Sequence, residues 1–223
     1  MKLQSIEFPF QARYVQSAAV SAATPEVWFV LHGYGQLATY FHKKFNALTE
    51  RNCVVVAPEG LSRFYLEDVQ HRASGQPSRV GASWMTREER LTDIQNYLTY
   101  LTAVYRAVIP SDFAGKISVL GFSQGAATAA RWAVNNQIPF HRLILWAGIF
   151  PDDLNFEAAH AVLARKQTIM VRGTSDPLIT PERLAQSQKI LDQLKIQPTE
   201  LLFDGGHEIN APVLQKLMAN TIH

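Results

Sequence analysis

The chain carries a single cysteine, Cys53, in 223 residues. That excludes an intrachain disulfide framework and any metal site built on several thiolates. Charge is sparse as well: 18% of residues are Asp, Glu, Lys or Arg, and the formal net charge is +2. No cluster of Lys and Arg stands out, so a nucleic acid or an anionic membrane has no electrostatic footing as a partner. Long apolar runs are missing. None approaches the ~18 residues of a membrane span, so no transmembrane segment is expected, and residues 1–7 lack an apolar stretch of signal-peptide length. The expectation is a soluble, cytoplasmic protein. Internal repeats, low-complexity tracts and linkers are absent too. Cys53 itself sits in Cys53-Val54-Val55-Val56-Ala57 and reads as a small core hydrophobe.

What is present is apolar content, 47% of the chain, enough for one sizeable core and a single domain over residues 1–223. Short β-branched runs alternate with longer amphipathic stretches, the pattern of βαβ units and a mainly parallel sheet. Strands are expected over 27–31, 54–57, 117–120, 143–146, 168–171 and 201–203. Helices are expected over 39–50, 87–108, 126–135, 156–164, 181–194 and 211–219. Within 87–108, Leu91, Ile94, Leu98, Leu101, Val104, Tyr105 and Val108 recur at three- and four-residue steps. Thr86 with Glu89 reads as a capping box, Pro110 as a stop, and Thr180-Pro181 as another helix start. Residues 5–16 alternate and predict one or two antiparallel edge strands. Residues 58–83, rich in Gly, Ser, Pro and Arg, predict a long irregular connection of the functional or mobile kind. The expected fold is a minimal three-layer α/β sandwich, a mainly parallel sheet flanked by helices, with no lid domain.

The residues Gly121-Phe122-Ser123-Gln124-Gly125 close one apolar run and open a small-residue helix at Ala126-Ala127. A G-x-S-x-G in that context is the pattern of a nucleophile elbow, a turn sharp enough to lift a serine hydroxyl clear of the sheet. A Cβ at either glycine would collide with the neighbouring strand and helix. Ser123 is therefore the candidate nucleophile, and it needs a base held by a third group. Of the seven histidines, His42 and His160 lie in expected helices, His71 in the long connection, His141 before a strand and His223 at the terminus. His207 follows the strand ending at Phe203 and reaches the carboxyl edge of the sheet, where open α/β sheets bind ligands and where Ser123 also lies. It is the candidate base. Asp176, beyond the strand ending at Val171, is the candidate orienting acid, with Asp152 and Asp153 as rivals.

Acyl transfer also needs donors for an oxyanion. The backbone N–H of Gln124 is one candidate and that of Tyr34, in His32-Gly33-Tyr34-Gly35-Gln36, the other. His32 reads as a hydrogen-bonded structural residue. Phe64, Tyr65, Trp84, Met85 and Leu178, in loops near the same edge, are the candidate substrate contacts.

With His32-Gly33-Tyr34-Gly35, the Ser123 pentapeptide, Gly173-Thr174-Ser175-Asp176-Pro177-Leu178 and Gly206-His207, the chain resembles the phospholipase/carboxylesterase family of α/β-hydrolases. That family includes acyl-protein thioesterases and small bacterial carboxylesterases. The likeness spans residues 27 to about 210, and departs at Trp84-Met85-Thr86, where acyl-protein thioesterases have Trp-Phe-Asp. It implies the α/β-hydrolase fold, ester or thioester hydrolysis without a cofactor, and Ser123, Asp176 and His207 as the triad. A serine carboxylesterase acting on a small-molecule ester is expected. The alternatives are an acyl-protein thioesterase or lysophospholipase, and a hydrolase-like binding module without catalysis. Oligomeric state is left open.

Overall fold

The computed structural model describes residues 3–219; His223 lies outside them. In chain order the elements are β1 (Tyr14–Gln16), β2 (Glu26–Leu31), α1 (Ala38–Phe41), a 3-10 turn over His42–Phe45, α2 (Asn46–Thr49), β3 (Val54–Pro58), β4 (Ser62–Tyr65), α3 (Val69–Ala73), β5 (Val80–Ser83), α4 (Arg90–Val108), β6 (Lys116–Phe122), α5 (Gln124–Val134), β7 (Arg142–Trp146), α6 (Phe156–Leu163), β8 (Gln167–Gly173), α7 (Pro181–Leu194), β9 (Thr199–Phe203) and α8 (Ala211–Met218). The main sheet has the order β1-β3-β2-β6-β7-β8-β9. β1 pairs antiparallel with β3, and the other neighbours pair parallel. No described helix is long and apolar enough to cross a membrane.

Period-two alternation sorts the strand residues into two cores. Val27, Phe29 and Leu31 of β2 face Leu101, Trp132, Ala159 and Leu194 from α4, α5, α6 and α7. Trp28 and Val30 face Phe41, Phe45, Leu48 and Leu214 from the α1–α2 segment and α8. A helical layer thus covers each face, the expected α/β sandwich. The chain runs from β2 outward to β3, then crosses back to β6 on the other side of β2. Winding direction reverses between β2 and β6, and the carboxyl end of that crevice is where such sheets place ligands. Ser123 follows β6 there, and the Gly33–Gln36 turn follows β2.

Several local expectations are corrected. The helix expected over 39–50 is broken into α1, the 3-10 turn and α2, with Phe45 leaving helical geometry (φ −112°, ψ 15°). Phe41, Phe45 and Leu48 are nonetheless all buried against the sheet. The capping box at Thr86 and Glu89 does not form. Glu89 takes a left-handed conformation with no side-chain cap, and the Thr86 N–H donates to Asp93 Oδ2 at 3.1 Å instead. Residues 58–83 hold a β4–β5 ribbon and α3, whose Asp68 cap accepts from His71 N–H. The antiparallel edge is confined to β1, with residues 3–13 outside regular structure. Thr180 caps α7 as expected, accepting from Arg183 N–H, with Pro181 in the first turn.

At the end of the sheet opposite Ser123, a largely buried ion pair joins β2 to β7. Arg142 Nη2 lies 2.6 Å from Glu26 Oε1, its Nε donates to Ser118 Oγ at 2.9 Å, and its Nη1 donates to Leu217 O at 2.7 Å. Removing one member of such a pair strands the other charge, at a typical cost of about 3–5 kcal/mol. Arg142→Met should lower the unfolding free energy by about that much in urea, and Glu26→Met on the same background should restore part of it. A loss below about 1 kcal/mol would contradict this account of how the two strands are tied.

Candidate active site

Ser123 sits between β6 and α5 at φ 55°, ψ −116°, a conformation that costs of order 1–3 kcal/mol for a non-glycine residue. The surrounding structure holds it there. Its N–H donates to Trp146 O at 2.8 Å, and its carbonyl accepts from Ala126 N–H at 3.0 Å. Both flanking glycines answer to close approach. A Cβ at Gly121 would stand 2.1 Å from Gly125 O, and one at Gly125 would stand 2.3 Å from Leu31 O. Either would push the elbow away from its strand or its helix.

The loops after β8 and β9 bring Asp176 and His207 together. His207 Nδ1 and Asp176 Oδ2 are 2.7 Å apart, and the Asp176 side chain is fully buried. Asp176 Oδ1 accepts from Leu178 N–H at 2.9 Å, so both oxygens of the buried carboxyl are engaged. The loops are laced by Thr174 N–H to Phe203 O and Ser175 N–H to Gly205 O, each 2.9 Å. A Cβ at Gly173 would meet Gly205 O at 2.3 Å and Gly206 O at 2.4 Å, so only glycine permits this approach. Trp146 Nε1 donates to Glu208 O at 2.8 Å and pins the far side of the His207 loop. The imidazole lies 4.9 Å, centroid to centroid, from the ring of Phe122, the residue preceding Ser123. With Nδ1–H directed at Asp176, the Nε2 lone pair is the one available to a hydroxyl. Among the described residues no hydrogen bond joins the Ser123 hydroxyl to this ring; contacts of that kind tighten when substrate binds.

Gly33 packs on the elbow: a Cβ there would lie 3.0 Å from Phe122 Cδ1 and 3.2 Å from Ser123 Cβ. Gly33 N–H donates to Gln36 Oε1, Gly35 N–H to Ala82 O and Gln36 N–H to Gly33 O. Among the described residues the Tyr34 amide, between these bonded neighbours, has no acceptor of its own. The Gln124 amide, at the start of α5, is likewise unbonded among the described residues. The Gln124 side chain has a task the sequence did not signal. Its Oε1 accepts from Trp84 N–H at 3.1 Å, and its Nε2 donates to Met85 O at 2.9 Å. It ties the segment after β5 to the amino end of α5.

Of the expected substrate contacts, Met85 lines a cleft of about 290 Å³ that opens on Ser123. Phe64 is half-buried and stacks on the Tyr34 ring at 5.0 Å. Tyr65 is exposed beneath the Arg72 guanidinium, and Leu178 is also exposed. Trp84 belongs to the core: it is 1% exposed and donates from Nε1 to His32 O at 2.8 Å. Neither rival acid bonds to His207 among the described residues. Asp153 pairs with Arg131 and Arg90, and Asp152 lines the cleft wall. Glu59, just past β3, carries no periodicity or motif that marks it in the sequence. Its buried carboxylate accepts from Arg13 Nε at 2.6 Å and from Ala38 N–H at 3.2 Å, fixing the start of α1.

A family model described as serine hydrolase (FSH1) matches residues 24–216, and the chain belongs to that family. No curated protein matches the sequence. Among solved structures the chain is similar to acyl-protein thioesterase 2 of Zea mays, with 16% identity, 94% of this chain and 99% of that one covered, and a TM-score of 0.65. It is similar to esterase PE8 at 20% identity, covering 96% and 100%, with a TM-score of 0.65. A phospholipase/carboxylesterase from Dyadobacter fermentans aligns at 19% identity over 97% and 98%, with a TM-score of 0.62. At these identities the likeness carries the fold, an α/β-hydrolase, in agreement with the resemblance read from the sequence.

Beneath the site lies His32, fully buried. Its Nε2 accepts from Gly60 N–H at 2.9 Å, so Nδ1 carries the proton and donates to Gly33 O at 2.8 Å. Burial lowers its pKa below the ordinary histidine value, outweighing the opposing pulls of the Gly33 carbonyl and Glu59. The unfolded chain therefore takes up a proton near pH 6.5 that the folded chain refuses. The stability contribution is complete above about pH 6.5 and is lost as pH falls toward the depressed value. His42 and His141, lowered mainly by burial, act with the same sign. The unfolding midpoint should fall between pH 7 and 5, less steeply in His32→Gln. A His32 ring titrating at or above 6.5 by nuclear magnetic resonance would refute this reading.

Proposed function

We propose that this member of the FSH1 serine hydrolase family is a carboxylesterase working through an acyl-enzyme on Ser123. The observation that carries the reading is the 2.7 Å bond between His207 and a fully buried Asp176, with the imidazole against Phe122. In the first half-reaction His207 Nε2 accepts the hydroxyl proton as Ser123 Oγ attacks the ester carbonyl carbon. The carbonyl electron pair moves to oxygen, and the resulting oxyanion is held by the amides of Tyr34 and Gln124. Collapse breaks the ester C–O bond, and the departing alkoxide takes the proton from His207. Water then repeats the sequence: it loses a proton to His207, attacks the acyl carbon, and collapse returns that proton to Ser123 Oγ as the carboxylic acid leaves. Asp176 keeps Nδ1 protonated and steadies the imidazolium between steps. Every step draws on protein groups and water. The cleft beside Ser123, about 290 Å³ with Arg131, Asp152, Arg183 and Gln186 in its walls, supports a small-molecule ester of short or medium acyl length.

Turnover of p-nitrophenyl butyrate should fall to background in Ser123→Ala. In His207→Ala it should fall by at least 10²–10⁴-fold. Asp176→Asn should lose on the order of 10³-fold or more, since Asn stabilises the wrong tautomer. Circular dichroism should stay native in all three. Undiminished hydrolysis by Ser123→Ala would remove the assignment and leave a binding module or a different nucleophile.

A further inference from the structure

Residues 5–16 alternate apolar and polar side chains, yet only Tyr14–Gln16 enters the sheet. Ahead of β1, Ile6, Phe8 and Phe10 stand in solvent, 87%, 69% and 55% exposed. The Phe8 and Phe10 rings meet edge to face with centroids 6.4 Å apart, on one side of the segment, as alternate residues of an extended chain do. An alternating apolar segment left open at a sheet edge is a template for another strand.

The pairing direction follows from β1, the last strand on its side of the sheet. Glu59 N–H donates to Arg13 O and Ser17 N–H to Val55 O, so the odd-numbered residues of this stretch bond inward to the β3 side. Even-numbered residues therefore turn their N–H and C=O outward. Pro9, which has no N–H to give, is odd-numbered and takes nothing from that outer row. The charges within residues 3–16 are Glu7 and Arg13 alone. Arg13 holds Glu59 through Nε at 2.6 Å while its side chain stays 55% exposed, within reach of a second carboxylate.

We infer that this edge is covered by the same edge of a second copy, the two running antiparallel about a two-fold axis at Phe10. That register sets Phe10 opposite Phe10, Phe8 opposite Ala12 and Ile6 opposite Tyr14 on one face. On the other face it sets Glu7 of each copy opposite Arg13 of its partner, an opposite-charge pair repeated by the symmetry. Sliding by two residues either way puts Glu7 against Gln11 or Val15 and leaves both charges unmatched. Pairing extends β1 back to Ile6, which restores the longer edge strand that the alternation predicts. The rings of Phe8, Phe10 and Tyr14 from both copies make an interface at the small end of the specific range, so association belongs at micromolar concentrations. The inference does not depend on the chemistry at Ser123.

The test is sedimentation equilibrium of the full chain, which should show a monomer passing to a dimer as concentration rises. Phe10→Pro removes the N–H at the axis from both copies, and two lost hydrogen bonds should weaken the dimer about thirtyfold. Glu7→Lys sets like charges opposite at both ends and should weaken it about tenfold. Circular dichroism should match the wild type in both variants, because the segment lies outside the sheet and its helical layers. Disulfide trapping in a Cys53→Ser background reads the register. Phe10→Cys should cross-link two copies, since Cα atoms of a hydrogen-bonded antiparallel pair stand about 5.5 Å apart. Gln4→Cys, about 40 Å from its own copy in this register, should not. A monomer's mass at every concentration up to about 1 mM overturns the inference. So does a dimer that Phe10→Pro leaves unmoved, or cross-linking that is equal at positions 4 and 10.

Discussion

A carboxyl group taken wholly out of water must have its oxygens occupied, and the rim of this sheet is organised around one such group. Asp176 gives one oxygen to His207 Nδ1 and the other to the Leu178 amide. The bond spans two loops that leave adjacent strands, β8 and β9, so it forms only where those loops touch. Gly173 against Gly205 and Gly206 allows that contact, and backbone bonds from Thr174 and Ser175 hold it. The imidazole is thereby fixed from below by Asp176 and from the side by Phe122.

The elbow is stiff for a related reason. Ser123 keeps a costly backbone conformation because its amide is bonded across to β7 and its glycine neighbours let β6, α5 and β2 close around it. Gly33 presses the β2 turn onto the same point, against Phe122 and Ser123. The Gln124 side chain meanwhile clamps the Trp84–Met85 backbone. Three crossings of the chain therefore converge at the reversal between β2 and β6. A site assembled this way has little freedom to drift.

The layered architecture was legible from short β-branched apolar runs alternating with longer amphipathic stretches and from the elbow pentapeptide, because each depends on neighbours within ten residues. The six expected strands all exist, slightly extended, and Thr180-Pro181 starts its helix where local chemistry says it should. What failed depended on distant partners. At the start of α4 Glu89 turns left-handed and the Thr86 N–H goes to Asp93, so Thr86 and Glu89 never meet as a capping box. The β4–β5 ribbon inside an apparently irregular stretch is anchored through the Gln36–Ala82 bridge, a long-range contact. Trp84, an aromatic in a loop, turned out to be core because the His32 carbonyl satisfies its indole N–H. Glu59 and Arg131 carried no signal at all, since their meaning lies in Arg13, Ala38 and Asp153 elsewhere in the chain.

The account stands or falls on which oxygen becomes covalently modified. Treating the folded protein with a fluorophosphonate and mapping its peptides by mass spectrometry reads that oxygen directly. The adduct should sit on Ser123 at one per chain, and His207→Ala should slow its formation by orders of magnitude. An adduct on another residue, or labelling indifferent to the loss of His207, would contradict the arrangement of hydroxyl, imidazole and buried carboxyl described above.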